Sequence, residues 1–324
     1  MATTMGRARL GRTNVDVSVV SIGTGGTSRL GQEYGASIEE SANLVRTALD
    51  EGIDFIDTAA SYGTEQIVGQ AIAGRRDEVV ISTKATVHRT GTDPNGDDLL
   101  TAAELRAGLD GNLGRLGTDY IDVFHLHGVS PNQYAYCAAE FGPELARLKQ
   151  QGKIRFAGIA ERFRVDQGHR MLQQALADEA DLFDVVLVGL NLLNQTALTR
   201  VLPRTRARDI GTQLTYAVRG RLATPAGADG LIAEAIAAGE VDPAELDPDR
   251  PLGFLLDDPS VRSLVDACYR FNRHAPGADV ILTSTGRAEH LRENIASINS
   301  GPLPEPILDR LRTIFGRVES LSGD

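Results

Sequence analysis

Residues 54–85, DFIDTAASYGTEQIVGQAIAGRRDEVVISTKA, carry the reading of the fold. Two apolar runs, DFI and EVVIS, flank an amphipathic segment, TEQIVGQAIAG. Continuous apolar runs suit strands buried on both faces, and the segment between them suits a crossover helix. Strand, helix, strand implies two parallel neighbours in one sheet. The same unit recurs in both directions. VSVVSIGTGG (17–26) precedes EESANLVRTALDEG (39–52), where Ala42, Val45, Ala48 and Leu49 keep helical spacing and Gly52 closes the turn. After residue 85 come TAAELRAGLDGNLGRLG, opened by a Thr101/Glu104 capping box, and YIDVFHLHGV (120–129). A helix ending ELARLKQQGK follows, then IRFAGIAE (154–161) and a helix through MLQQALADEA. DVVLVGLNLL (184–193) precedes TALTRVLPRTRARD, and GTQLTYAV (211–218) and DVILTSTG (279–286) complete the strands, the last followed by AEHLRENIASI. Eight such units in 324 residues favour an α/β fold, a closed (β/α)8 TIM barrel, over an open sheet.

ARLGRTNVDVSVVSIG (8–23) reads as a short N-terminal hairpin leading into the first strand. The segment from Arg219 to Ala278 is rich in Asp and Pro; helices are expected near Ala233–Ala238 and Val261–Arg273, with loop between. No low-complexity linker divides the chain, so residues 1–324 are expected to form a single domain.

Apolar residues make up 42% of the chain, which excludes disorder as its main state. The balance of 33 basic and 44 acidic residues gives a net charge of −11. That field opposes non-specific nucleic-acid or anionic-membrane binding. Cys137 and Cys268 provide neither a disulfide framework nor a Cys-rich metal site. No apolar run is long enough to span a bilayer, and MATTMGRARLGRT lacks the apolar stretch of a signal peptide. These features lead us to expect a cytoplasmic protein with a small-molecule partner, no nucleic acid and no metal; its oligomeric state stays open.

In a barrel of this kind, chemistry sits at the C-terminal ends of the strands. Asp57 ends the second strand, Tyr62 lies in the loop after it, Lys84 ends the third and His127 the fourth. A carboxylate, a phenol, an amine and an imidazole thus converge on one mouth. A buried Lys and Asp are costly unless paired, so Lys84 and Asp57 are expected to pair. An ammonium beside a phenol favours the phenolate, so the Tyr62 pKa is expected to fall and to let the group exchange a proton.

The order DFIDTAASYG, VVISTK, YIDVFHLH, GKIRFAGIAE resembles the aldo-keto reductase family, from Leu10 to Ile295. The resemblance implies a (β/α)8 barrel that reduces a carbonyl (aldehyde, ketone or sugar) or oxidises an alcohol. The cofactor it implies is NADP(H) rather than NAD(H), bound without the GxGxxG loop that this chain lacks. It implies Tyr62 as proton donor or acceptor, Lys84 held by Asp57 as its tuner, and His127 as the group orienting the carbonyl. His125 shares a strand face with His127 but lies below the strand end, and is read as a packed interior residue. For the cofactor, the resemblance implies Tyr216 stacking on nicotinamide, with Ala217 and Arg219 along the pyrophosphate. Thr285, Gly286 and Arg287 would meet a 2′-phosphate, Glu293 and Asn294 the adenine, and Thr24 and Gly25 lie in the turn under the cofactor.

The chain departs from the family pattern. Ala160 and Glu161 stand where Ser-Asn holds the carboxamide, and Leu187 stands for a Gln. Glu161 is expected to accept from the carboxamide NH2, with Asn191 or Asn194 compensating for Leu187. Ser284 and His290 occupy positions often basic, which weakens preference for NADP. Two alternatives therefore stay open: a barrel that binds nucleotide as a regulatory or binding protein, and one whose tightly held cofactor serves a reaction without net redox. A metal-hydrolase reading of His125 and His127 lacks further ligands, because His88, His169, His274 and His290 fall in helices or loops. Substrate choice is expected to lie in loops 87–98, 129–141 and 221–259, with Tyr134, Tyr136, Phe141 and Phe163 as candidate lining residues. Residues 242–258 read as either a lid or a solvated loop.

Overall fold

The computed structural model describes residues 4–178 and 180–324. Met1–Thr3, within the N-terminal reading, and Glu179, within MLQQALADEA, lie outside the described residues. Strands β1 (Arg7–Arg9) and β2 (Asp16–Ser18) pair antiparallel as the expected hairpin. Eight parallel strands follow: β3 (Val20–Gly23), β4 (Phe55–Asp57), β5 (Val80–Thr86), β6 (Ile121–Val129), β7 (Ile154–Glu161), β8 (Val185–Gly189), β9 (Gly211–Thr215) and β10 (Val280–Thr283). Each pairs with the next, and β10 closes the barrel on β3. The chain forms a (β/α)8 barrel.

The first apolar run divides between two elements. Val17 belongs to the hairpin and packs, with Leu10, against Phe55, Val123, Val185 and Val280 inside the barrel. The hairpin thereby plugs the end where the strands begin.

The outer helices are α1 (Ile38–Asp50), α2 (Glu65–Ala71), α3 (Ala102–Leu116), α4 (Tyr134–Gln150), α5 (Arg170–Ala177), α6 (Ala197–Arg200), α7 (Leu202–Ala207) and α8 (Pro225–Ala237). Then come α9 (Gly253–Leu256), α10 (Leu264–Arg273), α11 (Ala288–Ile298) and α12 (Glu305–Phe315). The Thr101/Glu104 capping box is present, and Ser37/Glu40 forms a second at α1. Helix α8 starts at Pro225 rather than near Ala233, because Thr224 accepts from the Gly227 N–H at 3.2 Å. Helix α10 starts at Leu264 rather than Val261, because Ser263 accepts from the Asp266 N–H at 3.1 Å. Pro203 divides the sixth helix into α6 and α7. The sequence reading leaves α9 within a loop and stops short of α12. Among the described residues, no helix is long and apolar enough to cross a membrane.

His125 fills the barrel interior. It lies in register with Lys84 on one side and Gly158 on the other. A Cβ at position 158 would stand 2.4 Å from the His125 Nδ1. Glycine is required there because an imidazole occupies the space a side chain would take. Gly158→Ala should therefore lower unfolding free energy by about 1–3 kcal/mol in urea titration, the usual cost of overpacking. An unchanged midpoint would mean the ring has room to move.

Candidate active site

Lys84 and Asp57 meet at the strand ends. The Lys84 Nζ lies 2.5 Å from Asp57 Oδ2 and donates to the Thr58 carbonyl at 2.9 Å. Both side chains are almost fully buried, at 1% and 2% exposure. Asp57 Oδ2 also accepts from Gln213 Nε2 at 3.0 Å and Ser82 Oγ at 3.1 Å. Those two donors come from β9 and β5, so three strands converge on one carboxylate oxygen. Burial acts to lower the Lys84 pKa, but Asp57, Tyr62 and Glu65 outweigh it and raise it. Lys84 is therefore an ammonium at neutral pH.

Tyr62 stands above this pair. Its ring centroid lies 5.4 Å from Lys84 Nζ and 5.7 Å from the His127 ring, which it meets edge-on. Two features hold Tyr62 in place. Arg29 donates to its carbonyl oxygen at 2.7 and 3.0 Å, and its ring packs on Gly25, where a Cβ would come within 2.7 Å. Gly25 is thus explained by the tyrosine as much as by the cleft it lines. The expectation for the phenol is corrected: its pKa is raised, because burial outweighs the opposing pull of Lys84 and Arg219. Tyr62 rests as the neutral phenol. His127 is driven down to about 3 by burial first and by Lys84, Arg162 and His88 next. It is a neutral imidazole that can offer one N–H.

A cleft of about 1370 Å³ opens from this group. Its walls include Asp57, Tyr62, Lys84, His127, Glu161, Tyr216, Arg219, Thr285, Gly286, Arg287, Glu293 and Asn294, so most of the expected site residues share one cavity. Arg219 stacks 4.6 Å over the Tyr216 ring and is held by Asp324 at 3.1 Å. Gly286 is packed against the Gly31 backbone, 2.6 Å from where its Cβ would be. Asn294 Nδ2 donates to Thr283 Oγ1 at 2.8 Å, so its amide is partly committed.

Other expected residues stand elsewhere. Thr24 is fully buried, bonded to Thr58 and Thr64 behind the turn. Ala217 packs into the core beneath Tyr216's loop. Asn191 is fully buried, its oxygen accepting from the Leu193 and Asn194 N–H groups and its nitrogen donating to the Ser322 carbonyl. Asn194 likewise donates to Leu321. Neither asparagine reaches the cleft, because both tie the C-terminal residues to the loop after β8. Glu161 lines the cleft, but its carboxylate is spent on His169 and on the Gly189 N–H at 2.7 Å. Tyr134, Tyr136, Phe141 and Phe163 are absent from the walls, as is the 242–258 segment.

Sequence reasoning passed over Gln213, Ser82, Arg29 and His169. Gln213 carried a signal: a long amide side chain in the middle of GTQLT, a strand position expected to be buried. Arg29 and His169 carried none, because their roles arise from loops that meet only in the fold.

The match to known proteins agrees with this geometry. Residues 21–314 match the model of the aldo/keto reductase family. The chain belongs to the aldo-keto reductase family. It is 34% identical to L-galactose dehydrogenase from Arabidopsis thaliana over 157 residues, 46% of each chain. It is 36% identical to the aldo-keto reductase YhdN from Bacillus subtilis (strain 168) over 166 residues, 48% of this chain and 46% of that one. The chain thus spans about half the length of these curated relatives. Among solved structures, the aldo-keto reductase AKR11C1 from Bacillus halodurans (holo form) superposes with a TM-score of 0.70 at 20% identity, covering 95% of this chain and 96% of that one. At that identity the likeness shows the fold.

The neutral imidazole sets a pH dependence. An unfolded His titrates near 6.5, whereas folded His127 titrates at about 3. Between those values the unfolded chain binds a proton that the folded chain does not, so stability falls as pH drops through that window. His127→Gln should flatten this slope by up to about 1.4 kcal/mol per pH unit between pH 6 and 4. Urea unfolding of both proteins across that range checks it; parallel slopes would contradict it.

Proposed function

We propose that this aldo-keto reductase interconverts a carbonyl and an alcohol with NADP(H), Tyr62 supplying or taking the proton. The observation that carries this reading is the buried Lys84–Asp57 pair under a half-buried tyrosine beside a neutral histidine. The small-molecule class fits a closed barrel with one deep mouth. The relatives' names point the same way: one is a dehydrogenase of L-galactose, and another, 34% identical over 142 residues, is a methylglyoxal reductase from Yersinia pestis.

The residues present fit a nicotinamide dinucleotide at two of three points. At the far end, Arg287 is exposed, lines the cleft, and makes no ion pair among the described residues. It stands at the start of α11, whose free N–H groups favour a phosphate. Midway, Arg219 offers a cation, and Tyr216 presents an aromatic ring. At the ring end, Ala160 and Leu187 contribute no polar side-chain atom, and Glu161 is committed elsewhere. The missing hydrogen bonds are worth about 0.5–1.5 kcal/mol each, which weakens binding without preventing it.

A bound nicotinamide supplies or accepts the hydride. His127 donates its N–H to the carbonyl oxygen and orients it above Tyr62. Tyr62 Oη delivers its proton to that oxygen as negative charge grows there. Lys84 stabilises the phenolate left behind, and Asp57 keeps Lys84 aimed and charged. In the oxidative direction Tyr62 takes the proton back. Proton transfer by a positioned side chain contributes roughly 10²–10⁴-fold.

Two measurements test this reading. Tyr62→Phe should lose about 10²–10⁴-fold in kcat toward an aldehyde or aldose while still binding cofactor; retained turnover would refute the proton role. Calorimetric titration should give tighter binding of NADPH than of NADH, and Arg287→Ala should erase the difference. Equal affinities in the native protein would show that Ser284 and His290 have removed the discrimination.

A further inference from the structure

At the cleft wall lies a buried acid–imidazole pair that the reaction does not use. Glu161 ends β7, and His169 opens α5. His169 Nδ1 lies 2.8 and 3.0 Å from the two carboxylate oxygens, and neither side chain is more than 1% exposed. Burying such a pair is costly and requires geometry that repays it. Here the geometry is fixed from a third side, because the Gly189 N–H donates to Glu161 Oε1 at 2.7 Å.

The pair bears on an aromatic column. The Phe163 ring stacks on His169, with centroids 5.2 Å apart and planes 12° from parallel. Phe163 then meets Tyr216 edge-on at 5.1 Å. Phe163 also packs on Gly189, where a Cβ would stand 2.3 Å from Cγ. Gly189 therefore does two things: it donates to Glu161 and leaves room for the ring. Tyr216 itself has a φ of 66°, a left-handed conformation that a bulky residue keeps only when its surroundings impose it. The column from His169 through Phe163 to Tyr216 is that surrounding.

We propose that Glu161 and His169 are positioning residues that lock Phe163, and through it the face Tyr216 presents to the cleft. A nicotinamide ring bound in the cleft would meet a fixed aromatic wall, and Ala160 and Leu187, which line the same cleft, would give it no side-chain hydrogen bond. This rests on the nicotinamide reading above for its binding readout only. Glu161 is not a catalytic residue: its oxygens face His169 and Gly189, and it moves no proton in the reaction.

The test compares Glu161→Ala, Glu161→Gln and His169→Phe with the native protein. Glutamine keeps an acceptor for Gly189 and a partner for His169 after a tautomer change. Phenylalanine at 169 keeps the stack but loses the anchor. Two readouts are taken: the NADPH dissociation constant by calorimetry, and the near-ultraviolet circular dichroism assigned to Tyr216 by difference from Tyr216→Leu. Glu161→Ala should weaken NADPH at least tenfold and remove the Tyr216 band. Glu161→Gln should stay within about threefold and keep the band, and His169→Phe should fall between. A lowered melting temperature in Glu161→Ala with unchanged affinity and band would overturn the proposal, since the pair would then be mere core. If the native protein binds no nicotinamide nucleotide, the functional reading fails, and the dichroism alone decides this one: loss of the band supports it, retention overturns it.

Discussion

Lys84 and Asp57 stand 2.5 Å apart, almost fully buried in the wall of the cleft, and the mouth of the barrel is arranged around that fact. Neither charge tolerates burial alone; breaking such a pair typically costs about 3–5 kcal/mol. The barrel answers with neutral donors from two other strands, Gln213 on β9 and Ser82 on β5, both on the same carboxylate oxygen. The ammonium is then held with its charge facing upward, toward Tyr62. Everything above it follows from that charge. His127 stays neutral in part because of it, and it pulls the Tyr62 phenol against the opposing effect of burial. A barrel plugged at its other end by Leu10 and Val17 keeps this field from being screened from below.

Close packing around glycine is the second constraint. Gly25 yields to Tyr62, Gly158 to His125, Gly189 to Phe163 and Gly286 to the Gly31 backbone. In each case a ring or a neighbouring backbone occupies the volume a Cβ would need. Three of these contacts place an aromatic or imidazole ring in or directly behind the cleft. The site is therefore set by missing side chains as well as by present ones, and protein interiors packed this densely transmit any error of placement.

The cleft wall at the ends of β7 and β8 shows how one chain redistributes polar contacts. The family pattern leads one to expect direct hydrogen bonds from the ends of β7 and β8. Here Ala160 and Leu187 withdraw them, and Glu161 turns to His169 and Gly189 instead. Asn191 and Asn194, near enough in sequence to compensate, are occupied with the carbonyls of residues 321 and 322. The cleft still offers the Tyr216 ring and four arginines, Arg219, Arg262, Arg287 and Arg292.

Much of the architecture was legible from residues alone. Eight apolar runs alternating with amphipathic segments specify a parallel barrel, because only strands buried on both faces show such runs. The ends of those runs place Asp57, Lys84 and His127 at one mouth, with Tyr62 just beyond. Cap chemistry predicted the start of α3, whereas the starts of α8 and α10 depended on Thr224 and Ser263, whose roles emerge only with the backbone in place. The sequence by itself determined which groups reach the mouth, since strand period and length dictate that. Only the tertiary structure decided what each group is free to do. Hydrogen-bond capacity is finite, and whether Glu161 faces a ligand or His169, or whether burial outweighs Lys84 at Tyr62, depends on distances between segments far apart in the chain.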